Sequence, residues 1–240
     1  MTDNILGIKI NVVSMKKATN TLKTFLKTNE LDMVVTPNPE IVMRSRKDKE
    51  LLNIINNASL TVPDGIGIVI ASRKIKERVA GIDLIKNFFQ SLDKNITVYL
   101  VGGREGVAKK AARNLTKKYR NIEIVGTHNG FFSNDKKEEM VLLKDINEKK
   151  PDILLVGTGS PSQEKWIWRN KPKAKIAIGC GGSLDVFAGN TARAPEIFIK
   201  MNLEWLYRAI KEPVRFKRLA VMPVFLYLVI LRRFKNVIFK

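Results

Sequence analysis

A chain of 240 residues with 45% hydrophobic content can bury a full core, and its 43 Lys and Arg against 23 Asp and Glu give a formal charge of +20. Such a field attracts phosphates, nucleic acid or anionic lipid without choosing among them. Cys180 stands alone, which excludes an internal disulfide and fits a reducing compartment, and the opening MTDNILGIKINVV has neither the basic n-region nor the apolar h-region of a secretory signal. A cytoplasmic protein is expected.

Short β-branched runs alternate with longer amphipathic stretches. Strands are predicted near Met33 to Val35, Leu60 to Val62, Ile96 to Val101, Ile122 to Val125, Ile153 to Val156 and Ile176 to Ile178. Helices are predicted over Glu40 to Asn57, Glu105 to Tyr119 and Asp135 to Lys149, where apolar residues recur near helical spacing. The alternation predicts an α/β, Rossmann-like fold: a mostly parallel sheet with helices on both faces.

Each strand runs into a turn of small or turn-forming residues: Thr36-Pro37-Asn38, Pro63-Asp64-Gly65, Gly102-Gly103, Gly126 to Gly130, Gly157-Thr158-Gly159 and Gly179 to Gly182. In open α/β sheets ligands bind outside the carboxyl ends of the strands, where glycines let backbone N–H groups approach phosphates, so this crevice is the candidate site. Ordinary βα turns would carry the same residues.

Composition shifts only near Ala194-Pro195, which divides a catalytic core, residues 1–195, from an appendage, 196–240, with ten Lys or Arg against three Glu and eight aromatics. Within it Leu219 to Leu231 is a run of 13 apolar residues, interrupted by Pro223 and flanked by Arg215, Lys217 and Arg218 before and Arg232, Arg233 and Lys235 after. Spanning a bilayer takes about 20 apolar residues, whereas basic, aromatic helices lie in the interface plane, so docking on an anionic membrane surface is expected. A helix packed on the core or in an oligomer interface is the competing reading, and the oligomeric state, a homo-oligomer included, stays open. If the appendage only docks, removing 196–240 leaves a folded and more soluble core.

Asp64 follows a predicted strand, and its carboxylate either caps the helix predicted from Ile66 or serves as a general base in the crevice. No D-x-D pair, no H-E-x-x-H and a single histidine, His128, mean that neither a metal site nor a Ser-His-Asp triad is signalled. Gly102-Gly103-Arg104-Glu105-Gly106 lacks the dinucleotide spacing, and no P-loop is present. After Gly157-Thr158-Gly159-Ser160-Pro161, Gln163 and Lys165 have the reach for a sugar or phosphate, while Trp166 and Trp168 read as packing residues.

At these motifs the chain resembles the bacterial WecG/TagA/CpsF glycosyltransferases, which include the N-acetylmannosaminyltransferases of wall teichoic acid synthesis. Seven ordered blocks carry the resemblance: Thr36 to Glu40, Pro63 to Gly67, Arg78 to Asp83, Gly102-Gly103 with Gly106 to Ala108, Gly126 to Phe132, Pro161 with Gln163 to Trp166, and Glu204 to Arg208. It runs from about residue 5 to about residue 220, and family members carry the basic tail too. Cys180 departs from a more usual Val or other small residue.

The resemblance implies an inverting, metal-independent transfer of N-acetylmannosamine from a UDP-sugar donor to a polyprenyl-diphosphate-linked sugar acceptor, undecaprenyl-diphosphate-linked N-acetylglucosamine, at the inner face of the membrane. It implies Asp64 as base, Thr36, Asn38 and Gln163 as sugar contacts, and Arg208, Arg215 and Arg218 as tail residues completing the active site. Arg78, Lys165 and the strand-end glycines Gly102, Gly103, Gly181 and Gly182 complete the expected substrate contacts. No cofactor and no nucleic acid are expected. Residue types leave the donor sugar open, with UDP-ManNAcA and UDP-glucose as alternatives. A nicotinamide-dependent oxidoreductase would share the sheet but want the dinucleotide glycines, and a nucleic-acid binder is favoured by charge alone.

Overall fold

A computed structural model describes residues 1–132, 135–211 and 220–238. The chain opens with an antiparallel hairpin, β1 (Thr2–Ile5) and β2 (Ile8–Asn11), in which Thr2 pairs with Asn11 and Ile5 with Ile8. Its two-residue turn puts Leu6 at φ 50° and Gly7 at φ 103°, the positive-φ pair that matches the strands' twist. Nothing in the predicted elements anticipated this hairpin, because Leu6 is a poor signal for such a turn.

Then follow α1 (Met15–Phe25), β3 (Asp32–Val35), α2 (Pro39–Ser45), α3 (Lys49–Asn56), β4 (Leu60–Thr61), α4 (Ile66–Ala71) and α5 (Gly81–Gln90). Next come β5 (Ile96–Gly102), α6 (Val107–Lys118), β6 (Ile122–His128), α7 (Lys136–Lys149), β7 (Ile153–Gly157), α8 (Ser162–Asn170), β8 (Ile176–Gly179) and α9 (Ser183–Phe187). The chain closes with α10 (Glu196–Lys200), α11 (Glu204–Lys211) and α12 (Val221–Ile238). All six predicted strands are present. The single helix expected over Glu40 to Asn57 is two, because Asp48 takes an extended conformation and accepts from the Leu51 amide at 3.0 Å, starting α3 afresh.

The six strands form one parallel sheet in the order β4-β3-β8-β7-β5-β6. Alternate strand residues feed two cores, one on each face. Val34, Leu100, Leu155 and Ile178 pack with residues of α1, α5, α6 and α9, while Val35, Val101, Val156 and Ala177 pack with residues of α3, α4, α7, α8 and α12. Both faces are therefore buried, and these strands read as near-continuous apolar runs.

Beyond residue 195, α12 lies on α2 and α4. Phe225 is fully buried, Val229 nearly so, and Met222 approaches Gly67, where a Cβ would sit 2.6 Å from Pro39 and 3.0 Å from the Met222 sulfur. Pro223 falls in the first turn of α12, which tolerates its missing N–H, so the proline does not break the apolar run. Among the described residues no helix is long and apolar enough to cross a membrane.

Candidate active site

The strand order positions the site. From β3 the chain moves outward to β4, whereas β8 and β7 lie on the other side of β3 and are reached only later, so the loops leaving β3 and β8 diverge and open a crevice at their carboxyl ends. A cleft of about 410 Å³ lies there. From the β3 end it receives Thr36 and Asn38, from β4 Asp64, from β7 Gly159, Ser160 and Gln163, and from β8 Cys180 to Ser183. Arg44, Arg78 and Gly81 complete this part of the wall, and Glu204, Trp205 and Met222 bring the C-terminal segment to it.

Asp64 does not cap the helix that follows it. Gly65, at φ 90°, occupies the N-cap of α4 with no side-chain cap. Asp64 Oδ2 instead accepts from the Gly81 amide at 3.2 Å, the first N–H of α5, and Asp64 N donates to Pro37 O at 3.2 Å. The carboxylate is thereby oriented from a neighbouring helix while its own backbone is tied to the β3 loop. Val79 N, bonded to Pro63 O at 2.9 Å, fixes the Arg78 loop against the same turn. Thr36 packs against Gly81, where an added Cβ would lie 3.0 Å from the threonine methyl.

Asn38 is the N-cap of α2, its Oδ1 accepting from Ile41 N at 3.0 Å, which leaves the amide NH₂ as the donor end of the side chain. Gln163 is 3% exposed. Its Oε1 accepts from Gly181 N at 3.0 Å and its Nε2 donates to Glu164 Oε1 at 2.7 Å, so its orientation is set at both ends. A Cβ at Gly179 would fall 2.6 Å from that Nε2, which is why the β8 end needs glycine there. Burial pushes the Cys180 thiol up to about 12, so this cleft residue is a neutral thiol near pH 7 and no nucleophile.

The structure brings together Asp64, Thr36, Asn38, Arg78, Gln163, Gly181 and Gly182. It does not bring Lys165, Gly102 or Gly103 to the cleft lining. Lys165, expected among the substrate contacts, lies with its ammonium 2.7 Å from Asp48 and 2.8 Å from Glu50, joining α8 to the start of α3, and those two carboxylates hold its pKa above the usual lysine value. Gly102 ends β5, one strand farther out than β7, and Gly103 follows it; a Cβ at Gly102 would collide with the Gly157 backbone at 2.6 Å, so its smallness serves sheet packing. Arg208 lies on α11, and Arg215 and Arg218 lie outside the described residues.

Sequence reasoning missed Arg44, which lines the cleft, pairs with Glu40 at 2.9 Å and donates from Nη1 to the Ser160 carbonyl. The i,i+4 spacing of Glu40 and Arg44 was a usable signal for the pair. The partner across the cleft was not readable. His128 ends β6, its Nδ1 3.0 Å from Asn129 O and its Nε2 3.5 Å from Glu138, away from the cleft. Trp166 is a packing residue, buried edge-on against Phe132 at 5.4 Å. Among the described residues no three His, Cys, Asp or Glu side chains converge as a metal-binding group.

Residues 3–237 match the Glycosyl transferase WecG/TagA/CpsF family. The chain belongs to that family. It is a glycosyltransferase, as the seven sequence blocks implied, and five of those blocks contribute residues to the cleft described above. It is 39% identical, over 234 residues covering 93% of the chain and 90% of the relative, to a protein of Staphylococcus aureus strain MRSA252 named N-acetylglucosaminyldiphosphoundecaprenol N-acetyl-beta-D-mannosaminyltransferase. Proteins of the same name from strains MW2 and NCTC 8325 are 38% identical over 234 residues with the same coverage.

Proposed function

We propose that the chain transfers N-acetylmannosamine from UDP-N-acetylmannosamine to undecaprenyl-diphosphate-linked N-acetylglucosamine, working from the inner face of the membrane, with Asp64 as general base. The observation that carries the reading is the convergence of Asp64 with Thr36, Asn38, Arg78 and Gln163 on one cleft at the point where the strand order diverges. The relatives' names supply the acceptor and the transferred sugar, and UDP as its carrier is what the family resemblance implies.

In this mechanism the acceptor hydroxyl attacks the anomeric carbon while Asp64 takes its proton. The bond from that carbon to the β-phosphate oxygen breaks on the opposite face, and UDP leaves with the electron pair. Inversion follows from single displacement through an oxocarbenium-like transition state. Charge develops on the departing diphosphate, and guanidinium groups are the donors suited to it: Arg78 in the cleft wall, with Arg208, Arg215 and Arg218 from the C-terminal segment. In this reading Asn38 Nδ2 and the Thr36 hydroxyl meet sugar oxygens, and Gln163, which is held at both ends, also shapes the β8 loop.

The test is Asp64→Asn. A neutral amide keeps the shape and loses the base, so turnover should fall about 100- to 10,000-fold while UDP binding stays near normal. Near-normal turnover would remove Asp64 from the mechanism. Offering UDP-ManNAcA and UDP-glucose beside UDP-N-acetylmannosamine decides the donor.

A further inference from the structure

A second cluster of charge lies beside the cleft and ties three parts of the chain together. Asp83 is in the first turn of α5, and Arg193 is on the segment between α9 and α10. Arg193 Nη1 and Nη2 meet the two Asp83 oxygens at 2.5 and 2.6 Å, a fork that a guanidinium makes and an ammonium does not. The same Nη2 faces Glu204 Oε2 at 3.5 Å, and that oxygen also faces Arg78 Nη2 at 3.7 Å. Glu204, 7% exposed, is the first residue of α11. Arg78 and Glu204 line the cleft; Arg193 and Asp83 do not.

One carboxylate oxygen thus stands between two guanidinium groups, one facing the cleft and the other anchored in the core. A buried carboxylate moves toward whichever cation is available, since leaving it unpaired is costly. With Arg193 locked by Asp83, Glu204 Oε2 is shared between the two guanidinium groups, at 3.5 Å from Arg193 and 3.7 Å from Arg78. Crowding of positive charge here is also felt by Lys86, one turn along α5, which is held below the usual lysine range by burial first and by Arg193 second.

We infer that Arg193 is a positioning residue: by engaging Glu204 from the Asp83 pair it keeps the Arg78 guanidinium available to the donor diphosphate and seats the start of α11 beside the cleft. This rests on the reading of Arg78 as a diphosphate contact. Without Arg193, Glu204 shifts toward Arg78 and offsets more of its charge, and donor affinity falls although no cleft side chain has changed.

The experiment is UDP titration calorimetry on the full chain carrying Arg193→Met, Arg193→Lys, Glu204→Gln and the double variants, with thermal melting in parallel. Arg193→Met should weaken UDP binding about tenfold, and adding Glu204→Gln, which cannot neutralise Arg78, should restore it to within a few-fold of Glu204→Gln alone. A residue that merely stabilises the fold would lower the melting temperature, and its loss would not be rescued in affinity by a change at position 204. Unchanged UDP affinity in Arg193→Met, or a double variant as weak as the single, overturns the inference. If Arg193→Met does not fold, Arg193→Lys, which loses the fork but keeps a charge, makes the same comparison with and without Glu204→Gln. Arg78→Met separates the two levels: wild-type UDP affinity there sinks the diphosphate reading itself, whereas lost affinity there with no rescue at position 204 sinks only the role of Arg193.

Discussion

Glu164, 2% exposed, is a buried carboxyl directly following the cleft residue Gln163. Burial raises its pKa, outweighing the Gln163 hydrogen bond and the nearby charge of Arg44. The folded chain keeps this proton at pH values where the unfolded chain has released it, so stability declines as pH rises from the ordinary carboxylate range through the folded value, and levels off beyond it. Glu164→Gln keeps an oxygen for Gln163 Nε2 and cannot ionise. Its stability advantage over the wild type should grow with pH, read from urea melts between about pH 4.5 and about pH 8. A gap that is the same at every pH would mean that Glu164 is not protonated in the folded protein.

At the scale of elements, α12 has two unlike faces. Phe225 and Val229 are buried against the core, while Val224, Tyr227, Ile230 and Leu231 are 49%, 60%, 49% and 40% exposed. The inner face holds the helix on α2 and α4, and the outer face offers apolar surface of the kind that enters a bilayer interface. Phe225→Ala should therefore destabilise the fold by about 3 kcal/mol in denaturant melts through the cavity it leaves. Tyr227→Ser should leave the melt unchanged and reduce the fraction bound to anionic vesicles. If both variants behave alike, the two faces do not divide the work in this way. Gly67→Val belongs to the same contact: with Pro39 and Met222 already close, the larger side chain should cost about 1–3 kcal/mol in the same melts.

For the whole molecule, membrane docking through the charge of +20 and the exposed face of α12 predicts vesicle binding that weakens as ionic strength rises. Truncation after residue 195 is where the packing changes an expectation. The core sequence contains every strand of the sheet, but α12 covers Gly67 and its neighbours, and Glu204 joins the Arg78 and Arg193 cluster. The 1–195 fragment should lose vesicle binding and, with that apolar bed uncovered, be less soluble than the full chain, measured by sedimentation at matched concentration. A fragment more soluble than the full chain would mean that α12 contributes only membrane-seeking surface. Turnover should survive EDTA, since the leaving group is assigned to arginine donors; restoration by added metal after chelation would defeat that assignment.

The amino-acid sequence by itself determined the parallel sheet and the family. Six β-branched runs of strand length, each followed by small or turn-forming residues, leave little choice but parallel strands with both faces buried, and the seven ordered blocks identified the family. That Asp64, Thr36 and Asn38 fall at strand ends, and Gln163 in the first turn of the helix after one, was legible because local sequence decides which residues occupy those turns. What the tertiary structure decided are the relations between distant segments. Spacing does not say whether Lys165 turns to a substrate or, as it does, to Asp48 and Glu50, because both choices satisfy the same helix. Gly102 and Gly103 look like phosphate-binding turns until the strand order places β5 beyond β7. The long-range contacts of Arg44 and Arg193 carry no local signature: their partners, the Ser160 carbonyl and Asp83, lie more than a hundred residues away in sequence, and only the packing of the sheet brings them together.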